Sequence, residues 1–206
     1  EGAYEPVDWS RCLSSCATTI GGNRSGPVIY VESTLSETTV IDGFIITKGD
    51  RGIYTLLSSV AVQNCRIVHN NTAGSGGGMR LDHSFITITN SLVADNTAEL
   101  HDAAISVIST VAIPGPYSRV RIYNSTIASN RASQGRNGIF CSLSACSAVN
   151  SIVWGHEGED FSGHMYSATY SDIEMELAGE GNISEDPRFV DQVNGDYHLR
   201  PDSPCI

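Results

Sequence analysis

One acidic segment carries side chains of the types that bind metal ions. The stretch GHEGEDFSGH, residues 155–164, contains His156, Glu157, Glu159, Asp160 and His164. Imidazole nitrogens and carboxylate oxygens are ligands of zinc, and oxygen ligands suit calcium. The same composition is typical of a solvated surface loop. We expect such a loop, with a calcium or zinc site as the alternative, and the sequence indicates no other cofactor.

A second group of side chains could hold a sugar. Arg66, Arg119 and Arg121 alternate with apolar residues, and alternate residues of a β-strand point to opposite faces. We therefore expect these arginines on an outer face of the protein. There they either keep the chain soluble or form a shallow glycan-binding surface.

The six cysteines lack the spacing of a metal or redox site. They stand at positions 12, 16, 65, 141, 146 and 205, and no two of them form a C-x-x-C pair. An even number of cysteines in a chain rich in Ser, Thr, Asn and Gly favours an exported protein with disulfides. Cys141 and Cys146 could close a small loop between adjacent strands.

Charge and hydropathy exclude two classes of partner. The formal net charge is −11, from 23 acidic and 12 basic residues, so the chain lacks the basic surface that nucleic acids and anionic membranes require. No apolar run approaches the roughly 18 residues of a membrane span. We expect an extracellular or cell-surface protein that has been exported with its signal peptide removed.

Asparagine recurs within a repeated phrase. VQNCRIVHN at 62–70, ITNSLVADN at 88–96 and IYNSTIASN at 122–130 share the form apolar-x-Asn-small-x-apolar-x-x-Asn. The first Asn column contains Asn64, Asn90, Asn124 and Asn150, with Asp42 ahead of them. The flanking apolar columns contain Val40, Val62, Ile88, Ile122 and Ala148 before it and Ile45, Ile67, Val93, Ile127 and Val153 after it. We predict a structural ladder of asparagines along this column.

A second column lies six places further on. It contains Asn70, Asn96 and Asn130, with Lys48 and His156 at its two ends. Asparagine tolerates unusual backbone angles and hydrogen-bonds the backbone through its side chain, so both columns predict bends between strands. Like residues that return every 22 to 34 positions are typical of a solenoid, whose coils stack at about 4.8 Å.

The sequence resembles the secreted right-handed parallel β-helix repeat proteins of the pectate-lyase-like superfold, in particular their non-catalytic surface-protein branch in bacteria and archaea. The resemblance rests on TVIDGFIIT at 39–47, GGGMRL at 76–81, VNSIVWG at 149–155 and the tail at 183–206. It implies an all-β, single-stranded, right-handed parallel β-helix of about six to eight coils with terminal caps. We expect one continuous domain, with a cap or partial coil at 1–26, repeats at 27–174 and a C-terminal capping segment at 175–206.

The superfold does not determine an activity, because it hosts lyases, hydrolases, adhesins and spacers. Lyases on this fold use a Lys or Arg base beside carboxylates, whereas Lys48, the only lysine, stands in a bend column. We expect no enzyme but an extracellular structural or surface-interaction protein. It would assemble end to end or laterally with itself, into filaments or an envelope layer, or bind other surface proteins. A glycan-binding or adhesin module is the alternative, and a polysaccharide lyase or hydrolase is a further one.

The longest insertion between the columns is unusually apolar for a loop. It contains Ile113, Pro114, Pro116 and Tyr117. An apolar loop either folds back over the protein or offers a contact surface to a partner. Both interpretations stay open, and the second makes these four residues a candidate contact loop.

Overall fold

The repeated columns correspond to the corners of a parallel β-helix. The computed structural model describes residues 17–110 and 117–206. The strands are β1 Thr18–Gly21, β2 Pro27–Glu32, β3 Thr38–Asp42, β4 Phe44–Thr47, β5 Arg51–Leu56, β6 Ser59–Gln63, β7 Arg66–Val68, β8 Asn71–Thr72, β9 Met79–Asp82, β10 Phe85–Thr89, β11 Leu92–Ala94, β12 Thr97–Ala98, β13 Ile105–Ile108, β14 Arg119–Tyr123, β15 Thr126–Ala128, β16 Arg131–Ala132, β17 Arg136–Val149, β18 Ile152–Trp154, β19 Glu159–Thr169, β20 Asp172–Ile173, β21 Phe189–Asp191 and β22 Asp196–Leu199. One turn of 3-10 helix, Gln192–Asn194, precedes β22.

Each coil contributes one strand to each of three parallel faces. The first face contains β2, β5, β9, β13 and the first part of β17, and the second contains β3, β6, β10, β14 and the second part of β17. The third face contains β1, β4, β7, β11, β15, β18 and β20. Strand β19 pairs with β17 along both of the first two faces. The described residues thus form six coils that follow β1, which confirms the predicted all-β parallel β-helix. They contain no helix long and apolar enough to cross a membrane.

The core consists of apolar residues that stack in register from coil to coil. The column inside the third face contains Ile46, Ile67, Val93, Ile127, Val153 and Ile173, and all of them are fully buried. Burial of each such side chain contributes on the order of 1.5 to 3 kcal/mol. On the first face Gly78 must stay small, because a Cβ there would lie 2.5 Å from the carbonyl oxygen of Ala104.

The first coil aligns one residue later than the sequence columns predicted. Ile41, and not Val40, is the partner of Val62 on the second face. Val40 therefore points outward and is 60% exposed. The corner residue of this coil is accordingly Gly43, with φ 74°, in place of the predicted Asp42.

The same shift continues along the third face of the first coil. Ile46 takes the core position that the sequence columns assigned to Ile45. Gly49 takes the column position predicted for Lys48, since its N–H donates to Asn70 Oδ1 at 2.9 Å. Glycine adopts the left-handed region without a steric penalty, so Gly43 turns the chain without an asparagine. At the other corner Lys48 is the left-handed residue, with φ 61°, and Gly49 stands where the next coils carry a buried asparagine. Both columns are therefore harder to recognise in this coil.

The corners that carry the recurring columns use one two-residue arrangement. The first residue adopts left-handed backbone, with φ between 47° and 56°, and the second is buried with a hydrogen-bonding side chain. These pairs are Leu57–Ser58, His83–Ser84 and Leu143–Ser144 between the first and second faces; Asn64–Cys65, Asn90–Ser91, Asn124–Ser125, Asn150–Ser151 and Tyr170–Ser171 between the second and third; and His69–Asn70, Asp95–Asn96 and Ser129–Asn130 after the third. The left-handed residue costs about 1 to 2 kcal/mol unless it is glycine, and the hydrogen bonds of the second residue offset this.

The buried serines tie each coil to its neighbour. Ser91 Oγ accepts the N–H of Cys65 at 3.1 Å and donates to the carbonyl oxygen of Thr89 at 2.8 Å. Ser125 accepts the N–H of Ser91 at 3.1 Å, and Ser151 accepts that of Ser125 at 3.2 Å. The column predicted only to be small is therefore also a hydrogen-bond ladder.

The three buried asparagines form a second internal ladder. Asn96 Oδ1 accepts the N–H and Nδ2 of Asn70 at 3.1 and 3.0 Å. Asn130 Oδ1 accepts the same two groups of Asn96 at 3.1 and 2.9 Å, and Asn96 Nδ2 also donates to Ile67 O at 2.9 Å. All three asparagines are at most 1% exposed. Buried amides with this many partners favour one stacking register over others.

Residues 174–184 cover the C-terminal end of the β-helix. Asn182 Oδ1 accepts the N–H of Ser171 at 3.1 Å and so ends the serine ladder. Its Nδ2 donates to the carbonyl oxygens of Ala168 and Leu177 at 2.9 and 3.0 Å. Met175 and Leu177 pack against the core. The segment thus pairs backbone groups that an open end would leave available for another chain.

We predict that Asn96→Ala lowers the free energy of unfolding by about 3 kcal/mol, because it leaves the N–H of Asn70 and the carbonyl of Ile67 buried without partners. Asn124→Gly is the matched control, since Asn124 lies at an exposed left-handed corner that glycine adopts freely; its effect is expected below about 1 kcal/mol. Urea unfolding followed by circular dichroism measures both variants. Equal losses in the two variants would contradict a specific role for the buried ladder.

Candidate ligand-binding groove

The end of the chain folds back along the side of the β-helix. Strands β21 and β22 form an antiparallel hairpin. Tyr197 Oη donates to Asp95 Oδ1 at 2.9 Å, and Gln192 Nε2 donates to Ser129 Oγ at 2.8 Å. Asp95 and Ser129 are left-handed corner residues after the third face. The hairpin is therefore fastened at that edge of the third face and leaves the opposite edge open.

The open edge forms one wall of a groove of about 710 Å³. A volume of this size is within the range of small-molecule sites in proteins. The wall on the side of the β-helix is lined by Asn64, Cys65, Asn90, Ser91 and Asn124. The floor is lined by Arg66, Leu92 and Thr126. The wall on the side of the hairpin is lined by Asn194, Gly195, Asp196, Tyr197 and His198. Three residues of the predicted ladder thus line a surface cleft.

The groove continues towards the C-terminal end of the helix. A second cavity of about 500 Å³ shares Asn124 and Thr126 with the first and extends past Asn150 to Tyr170. The corners from Asn64 to Tyr170 are four coil steps apart, which is about 19 Å at about 4.8 Å per coil. Since Asn150 Nδ2 donates to Asn124 Oδ1 at 2.8 Å, part of this wall is a ladder of amides. The groove suits an extended ligand that lies parallel to the helix axis.

Charged groups of both signs lie in the first part of the groove. A hydrogen bond from His198 lowers the pKa of Asp196, and Arg66 adds to this effect. Asp196 is therefore held as a carboxylate. Burial raises the pKa of Tyr197 beyond its ordinary value, and the Asp95 carboxylate adds to that. Tyr197 stays a neutral phenol that anchors the hairpin.

The serine hydroxyls and the thiol that border the first part of the groove are used by the fold. Ser91 and Ser125 each accept a backbone N–H from the neighbouring coil and donate to the carbonyl two residues earlier. Cys65 is buried, its Sγ contacts the carbonyls of Gln63 and Ile41, and burial raises the pKa of its thiol. These groups are held in structural contacts, so the groove is suited to binding by its amides, Arg66 and Asp196.

The structure separates the three predicted glycan-face arginines. Arg66 lies in the groove on the third face. Arg119 and Arg121 lie on β14 at outward positions of the second face, where they line two smaller hollows. Strand alternation located all three on the outside, but it carried no information about which face each residue would occupy.

The candidate metal-binding side chains of residues 155–164 do not converge on one point. Glu159, Asp160 and His164 belong to β19, so the expected loop is wrong for residues 159–164. Glu157 is exposed and pairs with Arg131 at 3.1 Å, whereas Asp160 and His156 are buried. Within 17–110 and 117–206 no group of three or more His, Cys, Asp or Glu side chains could hold a metal ion.

Two other predicted features have different outcomes. The disulfide between Cys141 and Cys146 is present and lies inside β17, at the corner between the first and second faces. Of the candidate contact loop, Ile113, Pro114 and Pro116 lie outside the described residues, and Tyr117 is 61% exposed. Cys65 and Cys205 are free thiols in the described part of the chain.

Sequence reasoning missed the hairpin wall of the groove. Asn194, Asp196 and His198 stand in the tail, where turn formation explained the polar residues sufficiently. The contact of Tyr197 with Asp95 spans 102 positions, and no column or spacing marks it.

Comparison with family models, curated proteins and solved structures finds no match to this chain. Its function must therefore be inferred from its own geometry.

Two buried titratable groups near the C-terminal end oppose each other in their pH dependence. Burial raises the pKa of Asp160 from 3.8 to about 7, despite the N–H of Met175 that donates to it at 2.7 Å. Burial lowers the pKa of His156 from 6.5 to about 4. The contribution of Asp160 to stability is thus lost as pH rises from about 4 to 7, whereas that of His156 is lost as pH falls from 6.5 to about 4.

We predict that Asp160→Asn raises the melting temperature more at pH 8 than at pH 4, because the native carboxyl must ionise in a buried position at pH 8. His156→Asn is the opposite control and should raise it more at pH 4 than at pH 8; the neighbouring coil already carries Asn130 in this column. Calorimetry at both pH values measures the two variants. A change that is independent of pH in either variant would contradict the assignment for that residue.

Proposed function

We propose that the protein is a non-catalytic extracellular surface-interaction module, related to the secreted β-helix repeat proteins, that binds a glycan along its side. The observation that carries this proposal is the groove of about 19 Å between the second-to-third corners and the C-terminal hairpin. A polymer binds such a groove through several equivalent contacts, one per coil. Its affinity then depends on repetition and less on any single residue.

The chemistry of the groove supports a saccharide as the ligand. Asparagine side chains offer both a donor and an acceptor, which matches the hydroxyl groups of a sugar. Arg66 adds donors and Asp196 adds acceptors to this set. Leu92 in the first part of the groove and Tyr170 in the second supply apolar surface, and Tyr170 is 54% exposed. A few fixed polar groups on a partly apolar lining are typical of sites for small polar ligands.

The C-terminal end favours lateral binding over end-to-end assembly. Residues 174–184 bond to the last coil through Asn182 and Ile183 and cover its core with Met175 and Leu177. An incoming chain would have to displace these contacts before it could pair with the last strands. Filament formation through this end is therefore the less supported alternative.

A glycan array tests the proposal directly. Labelled wild-type protein is expected to retain at least one class of neutral oligosaccharide, and Asn90→Gly combined with Arg66→Ala is expected to weaken that retention at least tenfold. Glycine preserves the left-handed backbone at position 90, so only the amide is removed. Leu143→Gly is the matched control, because it changes a left-handed corner on another edge of the helix. Retention by the double variant equal to that of wild type would overturn the proposal, as would the absence of any retained glycan.

Electron microscopy with light scattering distinguishes a monomeric binding module from a protein that assembles end to end. We expect single short rods of monomeric mass, with a body of about 30 Å for six coils at about 4.8 Å each. Fibres with an axial repeat near that length would instead support structural assembly through the ends. Loss of such fibres after substitution of Asn182 would show that the C-terminal cap takes part in them.

A further inference from the structure

The outer surface of the second face carries two arginines that no carboxylate neutralises. Two rows of outward-pointing residues cross the strands of this face. The first row contains Thr38, Ser59, Phe85, Arg119, Ala145 and Met165, and the second contains Val40, Ala61, Thr87, Arg121, Ser147 and Ser167. Neither row contains Asp or Glu. This surface, here called the arginine face, is therefore positive on a chain whose net charge is −11.

Both guanidinium groups are available to a ligand. Arg119 and Arg121 are exposed, and within the part of the chain that the structure describes neither side chain forms an ion pair or a hydrogen bond. In contrast, Arg51, Arg80 and Arg136 each pair with an aspartate. The nearest carboxylate in the outward columns is Asp42, three strands away, which is about 14 Å at about 4.8 Å per strand and beyond the Debye length of about 8 Å at physiological salt.

The shape of the face gives a ligand somewhere to lie. Small residues on β17, next to β14, and on β6, two strands away on the other side, leave a hollow on each side of β14, of about 420 and 300 Å³. Ala145 and Ser147 border one hollow, and Ser59 and Ala61 border the other. Both arginines line both hollows. They stand two residues apart on one strand, so their Cα atoms are about 7 Å apart and can engage successive anionic groups of a polymer.

We propose that the arginine face binds an anionic polysaccharide, with its sulfate or carboxylate groups held by Arg119 and Arg121. Guanidinium is suited to both groups, because its parallel N–H donors match two oxygens of one anion. The acidic remainder of the surface repels such a polymer, so binding is restricted to this face. This site is separate from the groove and does not depend on whether the groove binds a neutral glycan.

Dextran in three forms tests the proposal, since the polymer backbone is the same in each. Biolayer interferometry with dextran sulfate, carboxymethyl dextran and uncharged dextran measures the affinity of wild type and of Arg119→Thr/Arg121→Thr. Threonine suits exposed strand positions and already occupies the equivalent position 87. We expect the double variant to bind the anionic forms at least tenfold more weakly and to show a shallower dependence on salt. Stronger binding of one anionic form would identify sulfate or carboxylate as the preferred group.

Two further variants keep the result interpretable. Arg119→Lys/Arg121→Lys retains the charge and loses the paired donors, so it should bind with intermediate affinity. Arg66→Ala removes one positive charge outside the arginine face and should leave binding to dextran sulfate unchanged. Equal affinity of wild type and the threonine variant, or equal affinity of wild type for charged and uncharged dextran, would overturn the proposal. Neither result would affect the groove, which is tested by Asn90→Gly combined with Arg66→Ala.

Discussion

The fold depends on one contact that recurs at the corners, in which a buried side-chain oxygen accepts the backbone N–H of the preceding coil. A left-handed residue turns the chain, and the residue after it would otherwise bury an unpaired N–H group. Ser91, Ser125 and Ser151 supply the acceptor at one edge of the third face, and Asn96 and Asn130 supply it at the other. Because an unpaired buried N–H costs about 1 to 3 kcal/mol, every coil is tied to the next by its corners as well as by its strands.

This constraint also explains how the groove is built. At the corners between the second and third faces the left-handed residue points its side chain to the surface, whereas the residue after it points inward. Asn64, Asn90 and Asn124 therefore form a regular row along the outside of the helix, and the serines behind them hold the row in register. The hairpin uses the corresponding row after the third face, where Asp95 and Ser129 receive Tyr197 and Gln192. One repeated corner thus provides a wall of the groove and the anchors of the hairpin that forms the other wall.

The sequence predicted the repeating part of the structure and not the part that occurs once. The asparagine columns and the alternating apolar positions located the corners and the core, because each coil repeats the same environment. The first coil was placed one residue early because neither of its corners carries an asparagine: Gly43 is the left-handed residue of one, and Gly49 follows the left-handed Lys48 in the other. The hydrogen bonds of the serine column were missed, since a small residue in a crowded interior was already a sufficient explanation. The hairpin could not be located at all, because Tyr197 and Asp95 are far apart in the chain and belong to no column.

The separation of inward and outward residues has a consequence for function. The ladders and the apolar columns use only inward positions, so the outward rows can change without loss of the fold. Outward residues that nevertheless form an uncompensated charge, such as Arg119 and Arg121, are not explained by stacking. Stacking does not explain Arg66 either, because its column neighbours are Ile45 and Leu92 and its charge acts on Asp196 of the hairpin, whose pKa it lowers. In a β-helix the ladders explain the residues at inward positions. A ligand should therefore be sought at outward polar side chains that stacking does not explain.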